Sequence, residues 1–400
     1  MSVAQPNELQ PSMTRIGIDY TAAVQQRAGI GRYTRELVGA LLRLSAAEAP
    51  DLIYTLFAAA GKGSFRKEDL PPGIRRRFLP LSDEWMARFW HRLQVPLPVE
   101  VFTGRVDLFY SPDFVLPPTL PTTRTLLTVH DLSFLRYPEH FVPKLVRYLA
   151  RVVPDSVRRA DRILADSEAT RTDLIELLGT PPEKVEVLYS GVDARFGLQP
   201  EEGERERLRA RYGLDRPYVL AVGTLQPRKN YVRLIRAFVR LPIDQTVLVI
   251  AGGRGWLYEE VLQEAARFPD RVRVLGFVED ADLPALYRGA SLFVMPSFYE
   301  GFGLPVLEAM ACGVPVVCSR ASSLPEVAGD AALLIDPHDE EGLAEAIQRA
   351  LGDEGLRAQM RERGLARSAV FTWDRAARQL LRVMRELCGT TAGSCPTGQE

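Results

Sequence analysis

Carboxylates, adjacent cations and a histidine stand in this chain beside short glycine-bearing turns. Glu300 and Glu308, with seven residues between them, lie in SFYEGFGLPVLEAMACGVPVV, residues 297–317. The turn Gly301-Phe302-Gly303 separates Glu300 from a run that is apolar at helical spacing through Leu304, Leu307 and Met310. Free backbone N–H groups and the positive dipole end of such a helix suit a phosphate. A carboxylate further along is placed to hydrogen-bond a ribose or sugar hydroxyl. The same spacing also fits an ordinary strand–helix–strand unit with two surface glutamates, because a loop–helix glycine signal is weak by itself.

Four more groups of this kind occur. Gly29, Gly31 and Arg32 follow the run Arg15–Asp19, and His130 and Asp131 close TRTLLTVHD. Gly223-Thr224 lead to Arg228, Lys229 and Asn230, and a later apolar run ends near Phe277-Val278.

These residues need elements to position them. The apolar runs Arg15–Asp19, LIYTLFA (52–58), VDLFYSP (106–112), TRTLLTVHD (123–131), RILADS and EKVEVLYSGVD alternate with helical spacing, as at Ile30, Tyr33, Leu37, Leu41 and Leu44. The alternation restarts at PYVLAVGT (217–224) and continues through TVLVIAGG, RVRVLGF, SLFVMPS, the β-rich run Val314–Val317 and ALLIDP (332–337). Helices are expected between these runs, at 339–351 and 354–367, and at 372–388. Residues 61–80 read as irregular and the charged 194–212 as a connection. Residues 84–102 read as a helix with Trp85, Phe89, Trp90 and Leu93 among Arg88, His91 and Arg92, suited to a core or to a membrane surface. Strand–helix alternation in both halves predicts an α/β protein of two doubly wound, Rossmann-like parallel sheets facing each other across a cleft. Ligands of such sheets sit beyond the strand carboxyl ends, where all the residues above fall. Two adjacent cations, two glycine turns, a histidine and two carboxylates there describe a cleft for a polyanion joined to a polyhydroxylated group. A nucleotide-sugar is one such ligand.

Composition agrees and excludes other classes. At 400 residues the chain suits two domains. A formal net charge of −1 gives no global pull toward nucleic acid. Cys312, Cys318, Cys388 and Cys395 show no metal-ligand spacing and suit a reducing compartment. No signal-type run opens the chain, and no apolar run reaches the ~20 residues of a membrane span. Cytoplasmic location is the expectation.

The full pattern resembles the family-4 retaining glycosyltransferases of the GT-B fold. GIGRYTREL, VHDLSFLRYPE, GTLQPRKN, and SFYEGFGLPVLEAMACGVPVVCS with SLPEVAGDAALLIDP carry the resemblance, over roughly residues 15–388. It implies an N-terminal acceptor-binding domain at 13–195 and a C-terminal nucleotide-sugar domain at 213–370. A helix at 371–388 would return to the first domain, followed by a disordered tail at 389–400. It implies that Glu308 binds the donor ribose, that Arg228 and Lys229 clamp the diphosphate, and that the backbone of Gly301, Phe302, Gly303 and Leu304 faces donor sugar and phosphate. Glu300 would lie near the donor sugar and the backbone near Val278 would meet the base. Gly29 and Gly31 would let a loop approach the β-phosphate, and His130 would bond the sugar or assist at the reacting centre. The family mechanism is front-face displacement without metal or cofactor, and no DxD motif stands at a plausible strand end.

Two departures concern the acceptor side: Ala28 where many relatives carry glycine, and Ser190 where many carry asparagine before Gly-Val-Asp. Asp19, Ser167 and Asp113 stand at strand ends either as acceptor ligands or as caps. Overall similarity favours bacterial mannosyltransferases of surface-polysaccharide assembly using GDP-mannose, with UDP-glucose or UDP-N-acetylhexosamine open. The acceptor expected is a glycan or lipid-linked glycan at the inner face of a membrane, which the basic residues around 66–92 would suit. An epimerase or hydrolase of the same fold, and a non-catalytic nucleotide-sugar-binding subunit, are the alternatives. A Rossmann dehydrogenase is disfavoured, since neither glycine turn gives GxGxxG with a later acidic residue.

Overall fold

The computed structural model describes residues 13–26, 29–59, 74–79, 90, 95–243 and 245–389. The leader 1–12, Ala28, most of the aromatic–basic stretch over 84–102 and the tail from 390 lie outside them.

The described residues form two parallel sheets. The first contains β1 (Thr14–Asp19), β2 (Leu52–Ala59), β3 (Arg75–Leu79), β4 (Leu108–Ser111), β5 (Arg124–Val129), β6 (Arg162–Ala165) and β7 (Val185–Val187). Its order is β3-β2-β1-β4-β5-β6-β7. The second contains β8 (Tyr218–Val222), β9 (Val247–Ala251), β10 (Val272–Gly276), β11 (Leu292–Met295), β12 (Val316–Ser319) and β13 (Ala332–Ile335), in the order β10-β9-β8-β11-β12-β13. Each sheet starts in the middle, runs to one edge and then reverses to the other side of its first strand. The reversal leaves a crevice between β1 and β4, and another between β8 and β11, the switch points where doubly wound sheets bind ligands.

Two compact units divide the chain. One runs to Thr128 and includes Asp155–Leu164 and the chain from Ala377 onward; the other comprises Val129–Pro154 and Ala165–Ala376. In the first, Ile16, Ile18, Leu37, Leu41, Leu56 and Phe109 are fully or almost fully buried. Each such side chain stabilises the fold by roughly 1.5–3 kcal/mol relative to exposure. Trp90 is buried there too, 6.2 Å from the Phe57 ring and 6.1 Å from Phe102, with its Nε1 donating to the Leu97 carbonyl at 2.9 Å. For this member of the expected aromatic stripe, the core is its place. Near the carboxyl end of the helix Trp373–Cys388, Arg385 donates to the Glu48 carbonyl at 3.1 Å and to Asp51 at 3.3 Å.

In the second unit, successive residues of each strand feed opposite cores. Leu220, Val249, Phe293 and Cys318 lie in one, and Val219, Ile250, Val294 and Val317 in the other. That two-sided burial explains why these strands are near-continuous apolar runs rather than alternating ones.

The structure corrects the sequence reading at four places. Residues 75–79, expected to be irregular, form β3, a parallel edge strand beside β2. Its Arg75-Arg76-Arg77 start carries no apolar alternation, and exposed charge of this kind protects an edge. The expected connection over 194–212 contains the helix Glu204–Tyr212. Ion pairs hold that helix where an apolar stripe is missing: Glu204 with Arg288, and Arg211 with Asp282 at 2.6 Å. A short helix, Leu324–Ala328, lies before β13, and β12 starts at Val316, two residues beyond the start of the expected run.

Candidate active site

The site grows from the β8–β11 switch point. After β8, Gly223 has φ +152°, and a Cβ there would stand 2.9 Å from the Tyr231 hydroxyl and 3.1 Å from Lys229 Cε. The chain then makes the tight turn Pro227–Lys229, ending on Asn230 at φ +60°. Asn230 Nδ2 donates to the carbonyls of Pro296 at 3.0 Å and Pro337 at 2.7 Å, so one side chain ties together the loops after β8, β11 and β13. Lys229 Nζ meets Glu300 Oε1 at 2.7 Å, and Arg228 Nη1 meets Oε2 at 3.1 Å while also donating to the Tyr299 carbonyl. All three side chains are buried, at 9%, 11% and 8% exposure for Lys229, Arg228 and Glu300. Burial alone would raise the Glu300 carboxyl; Lys229 and Arg228 outweigh it and hold the group down to about 2. Two buried cations thus share one carboxylate, and Arg228 Nε is buried with no partner. Asp131 acts on both cations as well, and burial pushes the Lys229 ammonium down; the spare Arg228 Nε donor is what an anion would satisfy.

The loop carrying Glu300 is fixed by its backbone. Glu300 N donates to Ser322 Oγ at 2.7 Å, and the Ser323 hydroxyl lies 2.9 and 2.7 Å from the Glu300 and Phe302 carbonyls that accept from it. Phe302 is buried, its ring 6.0 Å from Tyr189 and 5.9 Å from Phe371. Gly303, at φ +110°, precedes the helix Leu304–Ala311, whose first residue is Leu304 and whose amino end no side chain caps. Pro305 has no N–H and Val306 N donates to the Gly303 carbonyl at 2.9 Å, so the amides that could meet an anion here are those of Gly303 and Leu304. Glu308, in the second turn, is 3% exposed and accepts from the Tyr287 hydroxyl at 2.8 Å. Val278 is buried just beyond β10, beside Phe277, whose side chain is exposed.

His130, at the end of β5, meets this loop. A Cβ on Gly301 would stand 2.1 Å from the His130 carbonyl oxygen, so only glycine permits the approach. The same carbonyl accepts from Thr170 Oγ1 at 3.1 Å. The imidazole Nδ1 lies 2.7 Å from Oδ2 of buried Asp166. Burial pushes the Asp166 carboxyl up, against the pull of His130. Tyr299, next to Glu300, donates to Asp173 at 2.6 Å, and Arg136 holds the other Asp173 oxygen at 2.8 Å. The cations, both glutamates, the Gly301–Leu304 turn, Val278 and His130 therefore belong to one unit.

Gly29 and Gly31 lie in the other unit, within the first turn of the helix Gly29–Glu48. A Cβ on Gly31 would stand 1.9 Å from the Gln26 carbonyl oxygen, so local packing alone demands glycine there; Gly29 has open space. Three strand-end residues left open by the sequence have local partners. Ser167 accepts from Thr170 N at 3.1 Å as a helix cap, Asp19 accepts from Thr21 N at 2.9 Å, and Asp113 from Phe114 N at 2.7 Å. Asp131 likewise accepts from Ser133 N at 2.9 Å. Asp166, Tyr287, Tyr299, Ser322 and Ser323 escaped the sequence reading. Asp166 alone left a signal, as the polar residue closing the apolar run RILA. Among the described residues no group of three or more His, Cys, Asp or Glu is disposed to hold a metal, and no helix is long and apolar enough to cross a membrane.

Known proteins share both sequence and architecture. Residues 27–196 match the family model "Glycosyltransferase Family 4", and residues 204–367 match "Glycosyl transferases group 1". The O-antigen chain mannosyltransferase B of Escherichia coli is 37% identical over 287 residues, 70% of this chain and 74% of the relative. A D-inositol 3-phosphate glycosyltransferase of Salinispora tropica is 41% identical over 246 residues, 56% of this chain and 50% of the relative. The structure of sucrose-phosphate synthase from Thermosynechococcus elongatus superposes with a TM-score of 0.73 at 22% identity, covering 94% of this chain and 100% of the other, and so shares its GT-B fold. With its strand-end cations, its spaced glutamates and this breadth of similarity, the chain belongs to the family-4 glycosyltransferases.

Proposed function

We propose that this glycosyltransferase moves a mannosyl group from GDP-mannose to a glycan acceptor, lipid-linked at the inner face of a membrane, with retention of anomeric configuration and without a metal. The observation that carries the reading is the buried Arg228–Lys229 pair, both bonded to Glu300, with an Arg228 Nε left unpartnered. A diphosphate supplies the accepting oxygens. As the bond from the anomeric carbon to the diphosphate oxygen breaks, its electron pair passes to that oxygen, where the two cations stabilise it. The acceptor hydroxyl gives its proton to the departing phosphate and bonds to the anomeric carbon on the same face. Glu308 takes the ribose hydroxyls, the amides at Gly303 and Leu304 face the phosphate, and the backbone at Val278 meets the base. Glu300 and His130 lie against the transferred sugar, and Gly29 and Gly31 border the β-phosphate. Sequence supports mannose as the sugar, through similarity to an enzyme named for mannosyl transfer to an O-antigen chain. The division into 13–195 and 213–370 belongs to the same proposal.

A thermal-shift panel in EDTA tests it, with GDP-mannose, UDP-glucose, UDP-N-acetylglucosamine, ADP-glucose and their free nucleotides. At 100 times Kd the bound donor stabilises the protein by ~2.7 kcal/mol, a shift of a couple of degrees. GDP-mannose and GDP give this shift, and Lys229→Ala and Glu308→Ala abolish it. A shift confined to a UDP donor would reassign the base and sugar; no shift from any of them, in folded protein, would refute a donor site.

A further inference from the structure

Asp166 follows β6 as His130 follows β5, and these strands are neighbours in the first sheet, so the two side chains emerge side by side. Asp166 is 6% exposed, and its Oδ2 lies 2.7 Å from His130 Nδ1. Among the described residues this is the one hydrogen bond its side chain makes, and Oδ1 is buried without a partner. A carboxylate held this way costs stability, because lost hydration is replaced at one oxygen only and Asp131 adds like charge. An apolar residue would fill the volume without that cost, so packing does not account for the carboxylate. Its partner is a histidine whose main chain is separately anchored, through its carbonyl, by Thr170 Oγ1 and the close passage of Gly301. With the backbone so fixed, side-chain contacts set the ring's rotation and tautomer, and the Asp166 carboxylate is the one on Nδ1.

Resting on the proposed function, which puts His130 at the donor sugar, we propose that Asp166 is a positioning residue for that histidine. Its carboxylate accepts the Nδ1–H, fixes the ring plane and makes Nε2 the accepting nitrogen, offered to a hydroxyl of the transferred sugar. Substrate does not touch Asp166; it acts through the imidazole.

The test uses the whole chain with ¹⁵N-labelled histidine. Its four histidines give few signals, and His130→Gln assigns the one that matters. Wild-type protein should show His130 with its proton on Nδ1, and Asp166→Asn should lose that fixed tautomer. In parallel, kcat for sugar transfer or donor hydrolysis should fall about 100-fold in Asp166→Asn, the scale of a misplaced group at a reacting centre. The calorimetric Kd for the free nucleoside diphosphate should stay within about twofold, since no diphosphate contact is changed. Should Asp166→Asn fail to fold, Asp166→Ser, a smaller polar residue without charge, takes its place. An Nε2–H tautomer in the wild type, an unchanged tautomer in the variant, or an unchanged kcat overturns the proposal. Failure of the wild type to bind any nucleoside diphosphate would overturn the donor-site reading instead, and the tautomer measurement decides the Asp166–His130 coupling in either case.

Discussion

Glu300 carries two duties at the residue scale: it bonds to both Arg228 and Lys229 and lies where the transferred sugar is proposed to rest. Replacing it with glutamine removes the carboxylate to which both buried cations are bonded, which costs about 3–5 kcal/mol at neutral pH. The sign of the pH dependence follows from its carboxyl being lowered from 4.5 to about 2. Stability from this ionised group is fully present above 4.5 and is lost as pH falls from there toward 2. The melting-temperature gap between wild type and Glu300→Gln should therefore be constant from pH 8 to 5 and narrow below that; a gap that widens in acid would show Glu300 is not the ionised partner. Glu300, Arg228 and Lys229 were legible in the sequence because each lies in the loop just beyond an apolar run that had to be a strand. Asp166, Tyr287 and Ser323 were not. They reach the site from 36 residues along the chain from His130, and from 21 and 23 residues along from Glu308 and Glu300, by sheet order that no local pattern encodes.

Among elements, the loop from Glu300 to Gly303 is built for close approach. Gly301→Ala would drive a Cβ to 2.1 Å from the His130 carbonyl, a contact with backbone that rotamer change cannot relieve. The loops must part, at about 1–3 kcal/mol of stability, the range for overpacking. Turnover should fall on the order of 100-fold as the reacting groups separate. Kinetics beside a thermal melt check this, and wild-type kcat in Gly301→Ala would mean the contact does not set catalytic geometry. The turn glycine itself was readable from sequence, but what it touches was not. Conversely, the strands of the second sheet were plain because both faces are buried, whereas β3 and the helix Glu204–Tyr212 were hidden. Charge on an exposed edge and ion pairing to Arg288 and Asp282 leave no hydrophobic period to read.

For the molecule as a whole, family and fold fix the reaction class, and the proposed diphosphate donor rests on the cations at the switch point. Two parallel sheets were predictable from alternation alone, and the second sheet's reversal between β8 and β11 explains why the cations and Glu300 fall together. Donor base, sugar and stereochemistry rest on resemblance and on the charge balance of one buried cluster. They can be tested in a single tube. ¹H NMR of GDP-mannose incubated with the full chain in EDTA should show slow loss of donor, with α-mannose appearing first before it mutarotates. Lys229→Ala should slow that loss on the order of 100- to 1,000-fold, the scale of removing one preorganised charge at a developing anion. A first product in the β configuration, or loss of donor at an equal rate in Lys229→Ala, would contradict retaining transfer from the Arg228–Lys229 site.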